Sequence, residues 1–104
     1  MKQITRIDIN SPGEYKAFLA GWEQKNFLGM PLILGYRIGD MACGILIADC
    51  LEKSAVLKLI AVDENCQRRG IGGRLWEAFY NIASATTALD CLSQERGRGA
   101  RFTW

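Results

Sequence analysis

Residues 60–73 read Ile60-Ala61-Val62-Asp63-Glu64-Asn65-Cys66-Gln67-Arg68-Arg69-Gly70-Ile71-Gly72-Gly73, and this spacing can hold an anion. An apolar run ends at Val62, a polar turn follows, and helical spacing resumes from Ile71 through Leu75, Ala78, Phe79, Ile82 and Ala83. A helix N-terminus carries unpaired N–H groups and a partial positive charge. Glycines let a phosphate approach that backbone, and Arg68 and Arg69 add charge-assisted hydrogen bonds. The bland alternative is an ordinary strand-to-helix turn with solvated arginines. Two phosphate motifs are excluded: there is no Gly-Lys pair for a Walker A loop, and the third glycine of GxGxxG falls on Leu75.

Other chemistry is sparse. The chain has no histidine, and its four cysteines (Cys43, Cys50, Cys66, Cys91) form no CxxC, so no metal site is expected. Reduced thiols in a cytoplasmic protein are the plain reading. An odd spacing along one strand would turn Cys43 and Cys50 to opposite faces. Asp49, Glu52, Asp63 and Glu64 are the carboxylates that could act as a base, against the alternative of solvated turn residues. Cys66, beside the turn, reads as a small buried thiol rather than a covalent nucleophile, Tyr80 as packing rather than catalysis, and Phe18 and Trp22 as core rather than a substrate pocket. Arg96-Gly97-Arg98-Gly99-Ala100-Arg101 has the look of an RG-rich RNA-binding segment, in a single copy.

These residues need elements to position them. With 104 residues, 49% of them apolar, the chain makes one small domain. A net charge of +2 does not call for a nucleic-acid or membrane partner. No segment has the length of a membrane span or the apolar core of a signal peptide. A short strand is expected over 2–9. Ser11, Pro12 and Glu14 predict a helix start with a capping box, and Tyr15, Phe18, Leu19 and Trp22 its apolar face. Residues 26–31 read as a loop. Strands over 33–38 and 41–50 flank a Gly39-Asp40 hairpin turn, and residues 54–62 form a third, central strand. A last strand is expected over 86–92. The order is β-α-β-β-β-α-β, an α/β (α+β) fold.

On these residues the chain resembles the GNAT N-acetyltransferase superfamily. Gln67-Arg68-Arg69-Gly70-Ile71-Gly72 matches its Q/R-x-x-G-x-G/A signature, Val62 ends a strand just before it, and the element order agrees. Ala42-Cys43-Gly44-Ile45 resembles the family's third strand. The resemblance implies a mainly antiparallel mixed sheet with flanking helices and acetyl-CoA as cosubstrate. It implies that backbone groups of Ile60, Ala61 and Val62 pair with the pantetheine arm. The N–H groups from Arg68 through Arg69, Gly70, Ile71 and Gly72 to Gly73 would cradle the pyrophosphate, with Gln67 opening the turn. It implies transfer of an acetyl group to a primary amine, the acceptor and the general acid and base being unassigned. It covers residues 1–92 as an acetyl-CoA-binding domain, with 93–104 a basic tail; the family's usual C-terminal helix and two strands have no counterpart. A CoA-binding module without turnover is therefore the alternative function. The expected strand over 88–92 leaves an open edge, and Phe102 and Trp104 are large apolar residues near it, which predicts a homodimer through residues 88–104.

Overall fold

The structure, a computed structural model, describes residues 3–52 and 54–84. Among these described residues four strands, β1 (Ile4–Arg6), β2 (Met30–Ile38), β3 (Met41–Cys50) and β4 (Ala55–Val62), form one antiparallel sheet in the order β1-β2-β3-β4. One α-helix, α1 (Ile71–Ser84), follows. The architecture is a small α+β domain. The expected last strand, the basic tail and the dimer surface lie outside the described residues.

Alternation along the strands divides the core between the two faces of the sheet. On one face Leu32, Leu34, Leu46 and Ile60 pack against Ile71, Leu75, Trp76 and Phe79 of α1. On the other, Ile33, Ile45 and Ile47 pack against Tyr15, Leu19 and Phe27. Ile38 and Met41 close the hairpin as partners, and Gly39 supplies a φ of 60° at its first loop position, the pattern of a II′ turn.

The helix expected after Pro12 does not form. Residues Gly13–Tyr15 make a 3₁₀ turn, and the chain continues in i→i−3 turns, with Phe18 N donating to Tyr15 O at 3.0 Å and Trp22 N to Leu19 O at 2.9 Å. Gly13 (φ 58°) and Gly21 (φ 86°) take left-handed conformations that bound the segment. No side chain caps the turn, and Glu14, expected in a capping box, instead meets Arg37 at 3.3 Å. The apolar spacing still identifies the inward residues, since Tyr15 and Leu19 are buried and Phe18 and Trp22 pack beside them.

Two bulges adjust the sheet. Tyr36 pairs with Gly44 and Arg37 with Ala42, so Cys43 is the extra residue of β3. Ile47 pairs with Leu59 and Ala48 with Leu57, which makes Lys58 the extra residue of β4. The first bulge corrects the expectation for the cysteines: Cys43 is buried under α1, and Cys50 packs against that same cluster. Strand alternation fails wherever a residue is inserted.

The β2 start is held by Asp49. Its carboxylate, on a residue only 1% exposed, accepts the N–H groups of Leu28 (2.7 Å) and Gly29 (2.8 Å). Gly29 lies so close to β3 that a Cβ there would stand 2.0 Å from the Cys50 carbonyl oxygen. This pairing brings Met30 and Pro31 into β2 opposite Cys50 and Asp49, where the sequence reads as loop.

Candidate functional site

β4 and α1 meet at a strand-turn-helix corner that contains every position of the Gln-Arg-Arg-Gly-Ile-Gly stretch. Asp63 N–H donates to Cys43 O at 2.8 Å, which sets the phase of the ladder at the end of β4. In an antiparallel pair the backbone groups alternate between the neighbour and the opposite side. Ala61 therefore turns its N–H and C=O toward β3, while Ile60 and Val62 turn theirs to the outer edge. Among the described residues no strand pairs with that edge. Of the three strand positions expected to meet a ligand through the backbone, Ile60 and Val62 face outward and Ala61 faces β3.

The turn is built on buried anchors. Asp63 Oδ1 accepts the N–H of Asn65 at 2.8 Å, and Asp63 O accepts that of Cys66 at 2.8 Å, giving the 3₁₀ turn Glu64–Cys66. The Cys66 side chain is buried in the helix-side core. Its hydrogen bond with Cys43, followed by burial, pushes its thiol up to about 11. This makes it a poor nucleophile near neutral pH. The bulge thus ties this turn to β3 through the Cys43 carbonyl and thiol together.

Beyond Cys66 the backbone alternates through two left-handed residues, Arg68 at φ 70° and Gly70 at φ 72°. The conformation is free for Gly70 and costs roughly 1 kcal/mol or more for arginine. Arg74 N–H bonds Gly70 O at 3.1 Å, so the N–H groups of Ile71, Gly72 and Gly73 have no intrahelical acceptor. No acidic side chain lies in the first turn of α1 to offset its positive end. Among the described residues, and beyond chain neighbours and the helix's own backbone, a Cβ placed on Gly70 or Gly73 would have no heavy atom within 4 Å, so the space beside each Cα is open. Arg68 and Arg69 are exposed, and among the described residues neither makes an ion pair. Ile71 buries its side chain against the sheet, leaving only its backbone for the turn. Gln67 reaches back along the strand edge, its Nε2 donating to Val62 O at 3.4 Å.

The candidate bases are not gathered here. Asp49 is spent on the Leu28 and Gly29 backbone. It pairs with Val56, six residues before Val62, or about 20 Å along the strand. Glu52 follows Cys50 at that same distant end. Asp63 is close, but its carboxylate caps the turn; Glu64 is exposed beside it. Tyr80 packs near Trp76, ring centroids 6.1 Å apart, and Trp22 lies 5.8 Å from Phe27, so the aromatic residues serve packing as expected.

Separately, a groove of about 490 Å³ between β1 and α1 is lined by Gln3, Tyr36, Arg74, Glu77 and Asn81. There the Tyr36 hydroxyl donates to Gln3 Oε1 (3.0 Å) and accepts from Arg74 Nη1 (2.9 Å), pinning α1 to the sheet. Nothing in the spacing of these residues announces that contact. Among the described residues no group of side chains could hold a metal ion, and no helix is long and apolar enough to cross a membrane.

The fold is a small α+β domain, and its corner sets a left-handed turn and a helix N-terminus beside a strand edge that no described strand covers. No family model, curated protein or solved structure matches the chain.

Proposed function

We propose that this protein is a GNAT-type N-acetyltransferase that moves an acetyl group from acetyl-CoA to a primary amine. The observation that carries the reading is the corner itself: the Gln67–Gly72 signature coincides with a left-handed turn, an uncompensated helix N-terminus and an outward-facing strand edge. The open space before Gly70 and Gly73 suits a pyrophosphate, which the N–H groups of Ile71, Gly72 and Gly73 and the side chains of Arg68 and Arg69 would bind. The outward groups of Ile60 and Val62 suit the amides of a pantetheine arm. An N–H of Val62 aimed at the thioester carbonyl would stabilise charge developing on its oxygen. In the reaction the amine, having lost its ammonium proton to a base, forms a C–N bond at the carbonyl carbon. The C–S bond breaks, and the second proton, which the nitrogen sheds on becoming an amide, passes to the departing thiolate. The described cysteines are free thiols, in keeping with a reducing, cytoplasmic setting.

One observation favours a second reading, a CoA-binding module without turnover: Asp49 and Asp63 are already committed to backbone N–H groups. Release of thiol from acetyl-CoA across a panel of primary amines, with mass spectrometry of the products, separates the two. Turnover with at least one amine is expected. CoA binding with no thiol release on any amine would favour the module, and absence of both would refute the acetyl-CoA site.

A further inference from the structure

The contact between Gln67 and Val62 has a consequence for the same corner, and it rests on the acetyl-CoA reading above. The Val62 carbonyl points to the outer edge of β4, where a strand-like ligand would pair. That acceptor already has a donor, the Gln67 side-chain amide at 3.4 Å. Among side chains, a carboxamide is the kind that resembles the amide of a pantetheine arm, with an N–H able to donate to the same oxygen. Gln67 is also the residue immediately before left-handed Arg68, so its side chain springs from the turn that would receive the pyrophosphate.

We propose that Gln67 is an internal competitor of the pantetheine arm, occupying the Val62 carbonyl until an incoming ligand amide replaces it. Binding then exchanges one hydrogen bond for another at this position instead of adding one. Contacts of the ligand with the neighbouring turn tip the exchange. A ligand that carries the adenosine and pyrophosphate without the arm leaves the Gln67–Val62 bond in place. A ligand that carries the arm must break it. Gln67 therefore acts on selectivity between the two, and it does so at the cost of affinity for the longer one.

The test compares CoA with ADP, which carries a pyrophosphate and no pantetheine. Gln67→Met removes the donor at similar length and adds no charge. Calorimetry should show CoA binding strengthened about three- to tenfold in Gln67→Met, the range of one exposed hydrogen bond, with ADP affinity unchanged. In the parent protein, the Gln67 side-chain amide resonances should move on saturation with CoA and stay in place on saturation with ADP. CoA affinity that falls or is unchanged in Gln67→Met, or resonances that do not move with CoA, would overturn the competitor role while leaving the acetyl-CoA site standing. A parent protein that binds neither ligand would refute the acetyl-CoA reading, and the competitor role with it.

Discussion

Replacing Asp49 should unfold the protein more readily without a specific effect on the proposed acetyl transfer. Its carboxylate accepts two backbone N–H groups at 2.7 and 2.8 Å from a position that is 1% exposed. Hydrogen bonds to a charged group contribute about 1.5–3 kcal/mol each. The two cases differ locally: Leu28 is 88% exposed, so its amide can find water, whereas Gly29 is pressed against the Cys50 carbonyl and rehydrates poorly. Asp49→Ala should therefore cost about 3–5 kcal/mol, and Asp49→Asn, which keeps one acceptor oxygen, about 2–3 kcal/mol. A domain of this length has a total stability of roughly 5–15 kcal/mol, so either loss is a large fraction of it. Urea unfolding followed by tryptophan fluorescence reads the effect as a lower midpoint at similar slope. An Asp49→Asn variant within about 0.5 kcal/mol of the parent would refute the structural role. Were that variant also to lose turnover at full stability, Asp49 would return as a candidate base.

Gly35→Ala should destabilise by about 1–3 kcal/mol through overpacking, because its Cβ would stand 2.5 Å from the buried Tyr15 ring; the urea midpoint checks it. Stability should fall as pH rises from about 9 through 11. The Cys66 thiol is raised from 9.0 to about 11 by its hydrogen bond with Cys43 and by burial, so the folded state holds a proton there that the unfolded chain has lost. Tyr15 and Cys50, raised chiefly by burial, act in the same direction, and a flat melting temperature over that range would contradict the assignment. Arg68→Ala and Arg69→Ala should each weaken CoA binding, with the loss greater at low salt, where screening is least. Affinities equal to the parent at low salt would show that the backbone acts alone.

Much of the sheet was legible because burial on both faces writes a continuous apolar run. β3 spans the Met41–Cys50 stretch read from the sequence, and the Gly39-Asp40 turn sits between its expected strands. Asp49 stands out in such a run, yet its partners, Leu28 and Gly29, are about twenty residues away and no local pattern reveals them. The capping signals after Ser11 misled because Gly13 adopts a positive φ, which takes the backbone out of the helical path. The bulges at Cys43 and Lys58 escaped for a related reason: an inserted residue leaves composition unchanged while reversing the facing of what lies beyond it. The corner was the most legible part of the candidate site, since glycines and arginines between a strand and a helix have few other arrangements. Its left-handed Arg68 and the reach of Gln67 back to Val62 are details of backbone geometry that residue types do not encode.

Titration of CoA into the parent protein and into Gly73→Val by calorimetry decides whether the corner holds CoA. Beyond its chain neighbours and the backbone of its own helix, the Cβ of a valine at this position meets no atom of the described residues within 4 Å, so circular dichroism should show the fold retained. Its side chain would enter the space assigned to the pyrophosphate. The expected result is saturable CoA binding by the parent, weakened at least tenfold in Gly73→Val, or about 1.4 kcal/mol. Equal affinities for the two proteins, or no binding by the parent, would contradict the acetyl-CoA corner.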